Sequence, residues 1–259
     1  MAGSDFVNTR TEGNLLIVEM NRPEKMNALH PPANKQLGEV FDEFAANKDL
    51  WVAIITGSGD RAFSAGNDLR YQAEGGEMFP VPSGFGGLTN RYDLNKPVIA
   101  AVNGVAMGGG FEIALACDLI IASENARFAL PEPRVGLAAL AGGLHRLPRQ
   151  IGLKQAMGMI LTGRHVPAEE GQALGFVNEV VPQADLMDTA KRWAGLIMEC
   201  SPMSIRASKQ AVMGGLDVAN FEEAFKTRFP AIVDMLKSDD FVEGPRAFAE
   251  KRKPNWKGE

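Results

Sequence analysis

The sequence predicts an α/β fold, because short apolar runs of strand character alternate with helical patterns along most of its 259 residues. Hydrophobic residues make up 45% and charged residues 23% of the chain, which is typical of a globular protein with a substantial core. The net charge is −5, so the chain lacks the basic excess of a dedicated nucleic-acid-binding protein. The length corresponds to one large domain, or to one domain with an appendage.

The predicted strands are runs rich in Val and Ile, at residues 15–20, 52–56, 98–102, 119–122 and 176–181. Their nearly continuous apolar character is typical of strands that are buried on both faces of a parallel sheet. Between them, Pro31 and Pro32 open a helical pattern, and Glu169 and Glu170 favour the first turn of another helix at residues 168–174.

Residues 70–95 interrupt this alternation with a stretch rich in Gly and Pro that also carries four aromatic residues. A long loop in a compact domain is either a solvated insertion or a functional segment such as a lid, and the sequence leaves both interpretations open.

From Ser201 onward the pattern is helical, and apolar residues between Phe221 and Leu236 recur at helical spacing. An amphipathic stripe of this kind packs on its own domain or, at a chain end, on a neighbouring subunit. We therefore expect a core of residues 1–200, which would hold the site, and a helical region of residues 201–259.

The chain has two cysteines, Cys117 and Cys200, which excludes a disulfide framework and favours a reducing, cytoplasmic location. Its start lacks the apolar run of a signal peptide, and no run of about 18 apolar residues predicts a membrane span. The three histidines are far apart in the sequence and no zinc-binding motif occurs, so we expect no metal site.

The strongest candidate site is the segment 97–119, where a strand is followed by Gly108, Gly109 and Gly110 and then by a helix that carries Glu112. Glycines and the free N–H groups of a helix start suit an anion or a developing oxyanion, although they also serve helix–strand packing. The third Gly of a dinucleotide fingerprint, the Lys of a P-loop and the GxSxG of a nucleophile elbow are all missing.

Two carboxylates that face one substrate can divide acid and base work, because each raises the pKa of the other. Glu112 and Glu132 are candidates for such a pair, although isolated glutamates are more often surface or capping residues. A loop of small residues from Ser64 to Asn67 offers further backbone N–H groups to a ligand.

These stretches together resemble the crotonase superfamily, the enoyl-CoA hydratases and isomerases, in VNGVAMGGGFEIALACD, AFSAGNDL, NRPEKMNAL and the C-terminal EGPRAFAEKR. The resemblance covers essentially the whole chain. It implies a spiral of β-β-α turns followed by a C-terminal helical region that forms trimers, which often pair into hexamers. It also implies an acyl-CoA thioester substrate and no metal, nicotinamide or flavin. The acidic charge balance and the lack of a long apolar run predict no nucleic-acid or membrane partner.

The resemblance also assigns roles to particular residues. The backbone N–H groups of Asn67 and Gly109 would hold the thioester oxygen, and Glu112 and Glu132 would be catalytic. The residues implied for CoA binding are Lys25, Met26, Ala28, Ala65, Gly66, Asp68 and Leu69. The residues implied for the acyl pocket or its lid are Tyr71, Phe85, Leu137 and Leu140.

Family members that keep both glutamates hydrate 2-enoyl-CoA thioesters, so the resemblance implies a hydro-lyase. A double-bond isomerase or a thioester hydrolase that uses the same oxyanion hole remains the alternative, and a non-catalytic RNA-binding or scaffold relative is a more distant one. Several segments are particularly similar to the bacterial carnitinyl-CoA dehydratase group of this family, which makes a carnitinyl-type or another short modified acyl group a candidate.

One loop departs from the hydratase pattern. Residues 136–143 read GLAALAGG, without the Pro and the polar residues expected there, which indicates a more apolar acyl group. His145 follows this loop and is either a structural or interface residue or an additional acid–base group.

Overall fold

A computed structural model describes residues 6–77 and 79–259, and it arranges the strands of these residues in two sheets. The six-stranded sheet has the order β1-β2-β3-β5-β7-β10, and the four-stranded sheet has the order β4-β6-β8-β9. The strands are β1 Val7–Glu12, β2 Leu15–Met20, β3 Val52–Gly57, β4 Ala62–Ser64, β5 Val98–Val102, β6 Val105–Met107, β7 Leu119–Ser123, β8 Arg127–Ala129, β9 Val166–Pro167 and β10 Glu179–Val181.

The helices lie between and after these strands. They are α1 Pro31–Ala46, α2 Leu69–Ala73, α3 Gly109–Ala116, α4 Gly143–Gln150, α5 Leu153–Thr162, α6 Ala168–Leu174, α7 Leu186–Met198, α8 Pro202–Gly215, α9 Phe221–Lys226, α10 Pro230–Lys237 and α11 Asp239–Ala249. Short 3-10 segments occur at Pro23–Lys25, Phe85–Gly87, Glu132–Val135 and Gln183–Asp185.

The chain alternates between the two sheets as it advances. Strands β3, β5 and β7 are parallel neighbours in the large sheet, and each is followed at once by β4, β6 or β8, which are parallel neighbours in the small sheet. Helices α2 and α3 complete the turns that begin with β3 and β5. This is the spiral of β-β-α turns that the resemblance to the crotonase superfamily implied.

The central strands β2, β3, β5 and β7 of the large sheet are buried on both faces, as their apolar character predicted, whereas the edge strand β1 is largely exposed. In β3, Ala53 and Ile55 belong to the main core, whereas Val52 and Ile54 belong to a second core that is closed by α7. The prediction of a strand over residues 176–181 was partly wrong, because only Glu179–Val181 is extended. Phe176 instead packs its ring against Phe111 and Phe128 in the main core.

The interpretation of residues 70–95 as a solvated insertion was wrong for the second half of the stretch, and the role of a lid stays a prediction. Leu88 and Leu94 are buried in the main core, and Arg91 donates hydrogen bonds to the carbonyls of Gly87 and Gly38. The second half of the stretch is therefore part of the body of the protein, and residues 70–77 hold most of α2 and an exposed turn.

The C-terminal region is helical, as expected, but its apolar stripe does not form one helix. The chain leaves helical geometry between α9 and α10, just before Pro230. Phe221 and Phe225 are 85% and 82% exposed, so this part of the stripe does not pack on its own chain. Among the described residues, no helix combines the length and apolar character that a membrane crossing requires.

Candidate active site

The candidate site lies at the carboxyl ends of three neighbouring strands in the small sheet. Strand β6 pairs in parallel with β4 on one side and with β8 on the other. Asn67 follows β4, Gly109 follows β6 and Glu132 follows β8, so the parallel order brings the three together at one edge. In open α/β folds, ligands characteristically bind at this edge.

Gly66 sets the distance between the first two of these segments. It has a positive φ of +86°, and a β-carbon at this position would lie 2.6 Å from the carbonyl oxygen of Met107 and 2.9 Å from the nitrogen of Gly109. Only a glycine allows this approach, which places the loop after β4 directly against the N-terminus of α3.

The backbone N–H groups of Asn67 and Gly109 donate no hydrogen bond within the described part of the chain. Gly109 is the first residue of α3, where backbone donors have no partner inside the helix. Two free donors on adjacent segments can stabilise one oxyanion. The side chain of Asn67 is not needed for this, because the donor is the backbone N–H; the side-chain amide donates to Gln72 Oε1 at 3.2 Å.

We expect Gly66→Ala to lower kcat/KM for an acyl-CoA substrate by about 10²-fold, because its new methyl group would push the two N–H groups apart. Gly75→Ala is the matched control, since Gly75 has a similar φ of +82° and no atom within 4 Å of the new β-carbon. Steady-state kinetics of both variants check this prediction. If the two lose activity equally, strain of the backbone rather than separation of the donors is the cause.

Glu112 is buried in the first turn of α3, with 3% of its surface exposed. Its Oε1 accepts a hydrogen bond of 2.8 Å from the backbone N–H of Gly143. Burial raises the pKa of Glu112 to about 7, and the nearby charge of Glu132 adds to the rise, although hydrogen bonds from backbone N–H groups of Gly143 and Ala141 oppose it. Glu112 is therefore poised to exchange a proton near neutral pH.

Glu132 begins the 3-10 segment that follows β8, and burial also raises the pKa of its carboxyl group. Its Oε2 is buried and has no hydrogen-bond partner within residues 6–77 and 79–259. A β-carbon on Gly108 would lie 2.8 Å from Oε1, so the carboxyl group stands over the start of α3. A buried oxygen without a partner is costly, and a water molecule or a substrate group would satisfy it.

The raised pKa of Glu112 predicts a pH-dependent cost to stability. Between its ordinary value of 4.5 and about 7, the folded protein holds a proton that the unfolded chain has lost, so the free energy of unfolding falls as the pH rises through this range. We expect Glu112→Gln to be more stable than the parent protein at pH 8 and to lose this advantage towards pH 5. Urea unfolding at both pH values checks this.

The exposed Glu124 provides the control for this measurement. Glu124→Gln should leave the pH dependence unchanged. A Glu112→Gln variant that is less stable than the parent at pH 8 would show that the buried charge is compensated.

Sequence reasoning missed two groups at the site. The N–H of Gly143 is a backbone donor and carries no side-chain signal, and only the Gly142–Gly143 pair before α4 marks it. Arg146 lies on α4 near enough to lower the pKa of Glu112, and its guanidinium donates to the carbonyl oxygen of Thr89 at 2.8 Å.

The residues expected to bind CoA come from two segments that the structure joins. The N–H of Ala65 donates to the carbonyl of Met26 at 2.9 Å, and the N–H of Leu29 donates to the carbonyl of Gly66 at 2.8 Å. Asp68 and Arg22 form a largely buried ion pair at 2.9 Å between the same segments. Of the other expected residues, Lys25 and Leu69 are exposed and Ala28 is half-buried.

The four residues expected at the acyl pocket or its lid fall in different surroundings. Phe85 packs against Gly109, and the ring of Tyr71 packs edge-on against His30 at 5.1 Å. Leu137 and Leu140 lie in the loop before α4 and are 52% and 83% exposed. His145 is exposed on α4. No cluster of three potential metal-ligating side chains occurs within the described residues.

A β-β-α spiral here presents two free N–H groups beside one buried and one half-buried carboxyl group, an arrangement suited to enzymes that stabilise an enolate. The family model described as enoyl-CoA hydratase/isomerase matches residues 10–259. The chain belongs to this enoyl-CoA hydratase/isomerase family, and its fold is the crotonase fold.

Individual relatives support this membership. Carnitinyl-CoA dehydratase of Proteus mirabilis is 42% identical over 98% of this chain and 99% of its own length. Carnitinyl-CoA dehydratase of Escherichia coli K12 is 43% identical over the same shares of the two chains. The crystal structure of an enoyl-CoA hydratase from Mycobacterium marinum superposes with a TM-score of 0.93 at 36% identity, covering 99% of this chain and all of that one.

Proposed function

We propose that this protein is a hydro-lyase that adds water reversibly to the double bond of a short or modified 2-enoyl-CoA thioester. The observation that carries the proposal is the pairing of two N–H groups, unengaged within the described residues, with the buried carboxyl group of Glu112 and the half-buried one of Glu132, whose buried Oε2 has no partner there. The relatives named as carnitinyl-CoA dehydratases make a carnitinyl-type group one candidate for the acyl part.

In this proposal the thioester oxygen accepts hydrogen bonds from the N–H groups of Asn67 and Gly109. As water adds at Cβ, negative charge moves onto this oxygen, and the two donors stabilise the resulting enolate. Losing one such donor typically costs about 3–4 kcal/mol of transition-state stabilisation.

The attacking water would lie between Glu112 and Glu132. One carboxylate takes a proton from the water while the water oxygen bonds to Cβ. The other carboxyl group delivers a proton to Cα, so the product contains one complete water molecule more than the substrate. This division needs one protonated and one ionised carboxyl group near neutral pH, and the pKa of about 7 of Glu112 supports that state.

CoA would bind along the joined segments 25–28 and 65–69. We assign this role to Lys25, Met26, Ala28, Ala65, Gly66, Asp68 and Leu69. The exposed ammonium group of Lys25 suits a phosphate of the nucleotide portion, and the backbone of Ala65 and Gly66 allows a close approach.

We propose that residues 1–200 form the catalytic core and that residues 201–259 assemble the protein into a homo-trimer or homo-hexamer. Three aromatic side chains of this region are largely exposed in the single chain, namely those of Phe221, Phe225 and Phe248 at 85%, 82% and 87%. Exposed apolar surface of this kind supports the proposal that other subunits cover the region in an assembly. Light scattering of the purified protein tests the assembly, and an active monomer would contradict it.

The absorbance of the conjugated enone in crotonyl-CoA tests the proposed reaction. A hydratase removes this absorbance without releasing CoA thiol. Appearance of enone absorbance from a 3-enoyl-CoA alone would identify an isomerase, and release of free thiol would identify a thioester hydrolase; either result would overturn the proposal.

A further inference from the structure

The loop of residues 136–142, here called the 136–142 loop, connects the two catalytic candidates. At its start, the N–H of Leu137 donates to the backbone carbonyl of Glu132 at 2.9 Å. At its end, the N–H groups of Ala141 and of the adjoining Gly143 point to the carboxylate of Glu112. The loop therefore links the backbone of Glu132 to the carboxyl group of Glu112.

Because of this position, we expect the loop to contact the acyl chain of the substrate. If water adds to Cβ between the carboxyl groups, the acyl chain beyond Cβ begins within a few bonds of them. The 136–142 loop is attached to both glutamates, so we take it as the segment that this chain would meet.

The side chains of the 136–142 loop are entirely apolar. They are those of Leu137, Ala138, Ala139, Leu140 and Ala141, between two glycines. Leu137 and Leu140 are 52% and 83% exposed, so both offer apolar surface to a ligand. An acyl tail that covers them gains from the removal of this surface from water, whereas a cationic tail would lose its hydration without receiving a polar partner.

A positive charge on the neighbouring helix also disfavours a cationic acyl tail. Arg146 on α4 is one turn beyond the loop, and its guanidinium is held by the carbonyl oxygen of Thr89. Its positive charge lowers the pKa of Glu112, which opposes the effect of Glu132 on the same group. A fixed cation at this place repels a second cation.

The stretch 70–95 has four aromatic residues, and they do not form an open cage for a quaternary ammonium group, because three of them already have partners and Phe79 is the exposed fourth. The guanidinium of Arg146 already lies over one face of Tyr92, 6.0 Å from its ring centre. Tyr71 packs on His30, and Phe85 packs on Gly109. Glu74 and Glu77 are exposed, and a hydrated carboxylate attracts a cation weakly.

We propose that this site selects an uncharged, apolar acyl group, packed against Leu137 and Leu140, and discriminates against an acyl group that ends in a quaternary ammonium. The inference rests on the hydratase function proposed above and narrows its substrate class. The proposed acyl group therefore differs from the carnitinyl group that the names of its carnitinyl-CoA dehydratase relatives state for those proteins.

Two substrates of the same shape test the inference. Crotonobetainyl-CoA carries a trimethylammonium group, and 5,5-dimethylhex-2-enoyl-CoA carries a carbon atom in place of the nitrogen. We expect kcat/KM for the neutral substrate to be at least about tenfold higher. The ammonium group withdraws electrons and favours attack at Cβ, so chemical reactivity alone would give the opposite order.

Variants connect the preference to the loop. Leu140→Asp should lower kcat/KM for the neutral substrate and raise it for the cationic one, because a carboxylate would replace apolar surface with a partner for the ammonium. Leu153→Asp is the control, since Leu153 is 63% exposed at the start of α5 and should leave the ratio unchanged.

Hydration of crotonyl-CoA distinguishes failure of this inference from failure of the proposed hydratase function. If crotonyl-CoA is hydrated but the cationic substrate is used as well as its neutral counterpart or better, the inference is overturned and the hydratase function stands. If none of the three substrates is hydrated, the hydratase function is overturned and the inference falls with it.

Discussion

Replacing Glu132 with Gln is expected to lower kcat for crotonyl-CoA hydration by about 10²–10⁴-fold, the range typical of a lost general acid or base. The amide keeps the size of the side chain but can no longer take up or release a proton at neutral pH. Glu112→Gln should have an effect of the same order, because both groups must act on the same water.

Binding separates this prediction from a loss of structure. Both variants should retain their affinity for CoA thioesters, since neither residue belongs to segments 25–28 and 65–69 that we assign to CoA. Glu124→Gln, at an exposed carboxylate, should keep full activity. Full activity in either active-site variant would exclude the two-carboxylate mechanism.

The backbone N–H donor of Gly109 can be removed by a substitution with proline, because Gly109 begins α3. It is the first helical residue, where proline is well accepted since its N–H is not used within the helix. We expect Gly109→Pro to lower kcat by about 10²–10³-fold relative to a variant that keeps the N–H. Stopped-flow or steady-state absorbance of crotonyl-CoA measures the loss.

The comparison needs a suitable background, because a β-carbon at Gly109 would lie 2.5 Å from Cε1 of Phe85. Phe85→Ala removes this contact and should be present in both proteins that are compared. Gly109→Ala in the same background adds the β-carbon and retains the donor. If the Pro and Ala variants have similar kcat, the Gly109 N–H does not stabilise the transition state.

Much of the large sheet could be predicted from the sequence because its strands are long and apolar on both faces. The runs at residues 15–20 and 98–102 have the bounds of β2 and β5. The small sheet could not be predicted in this way, because β4, β6 and β8 have three residues each and show no periodicity. Phe176 lies beside a true strand, but its aromatic contacts take it into the core.

The site was predictable where side chains or glycines carried a signal. The glycines before Glu112 and the resemblance of the surrounding motifs led to the family, which the comparisons confirmed. The roles of Glu112, Glu132, Asn67 and Gly109 remain predictions. The N–H of Gly143 was not predictable, since its function depends on where the backbone of a distant loop lies.

The order of strands β4, β6 and β8 has a consequence for how this architecture diversifies. The donors that would activate the carbonyl follow β4 and β6, whereas Glu132 and the 136–142 loop follow β8. Substitutions after β8 can thus exchange one of the two acid–base groups and the shape of the acyl end while carbonyl activation is inherited unchanged. Glu112 shares α3 with the Gly109 donor, so this second acid–base group is less free to change independently.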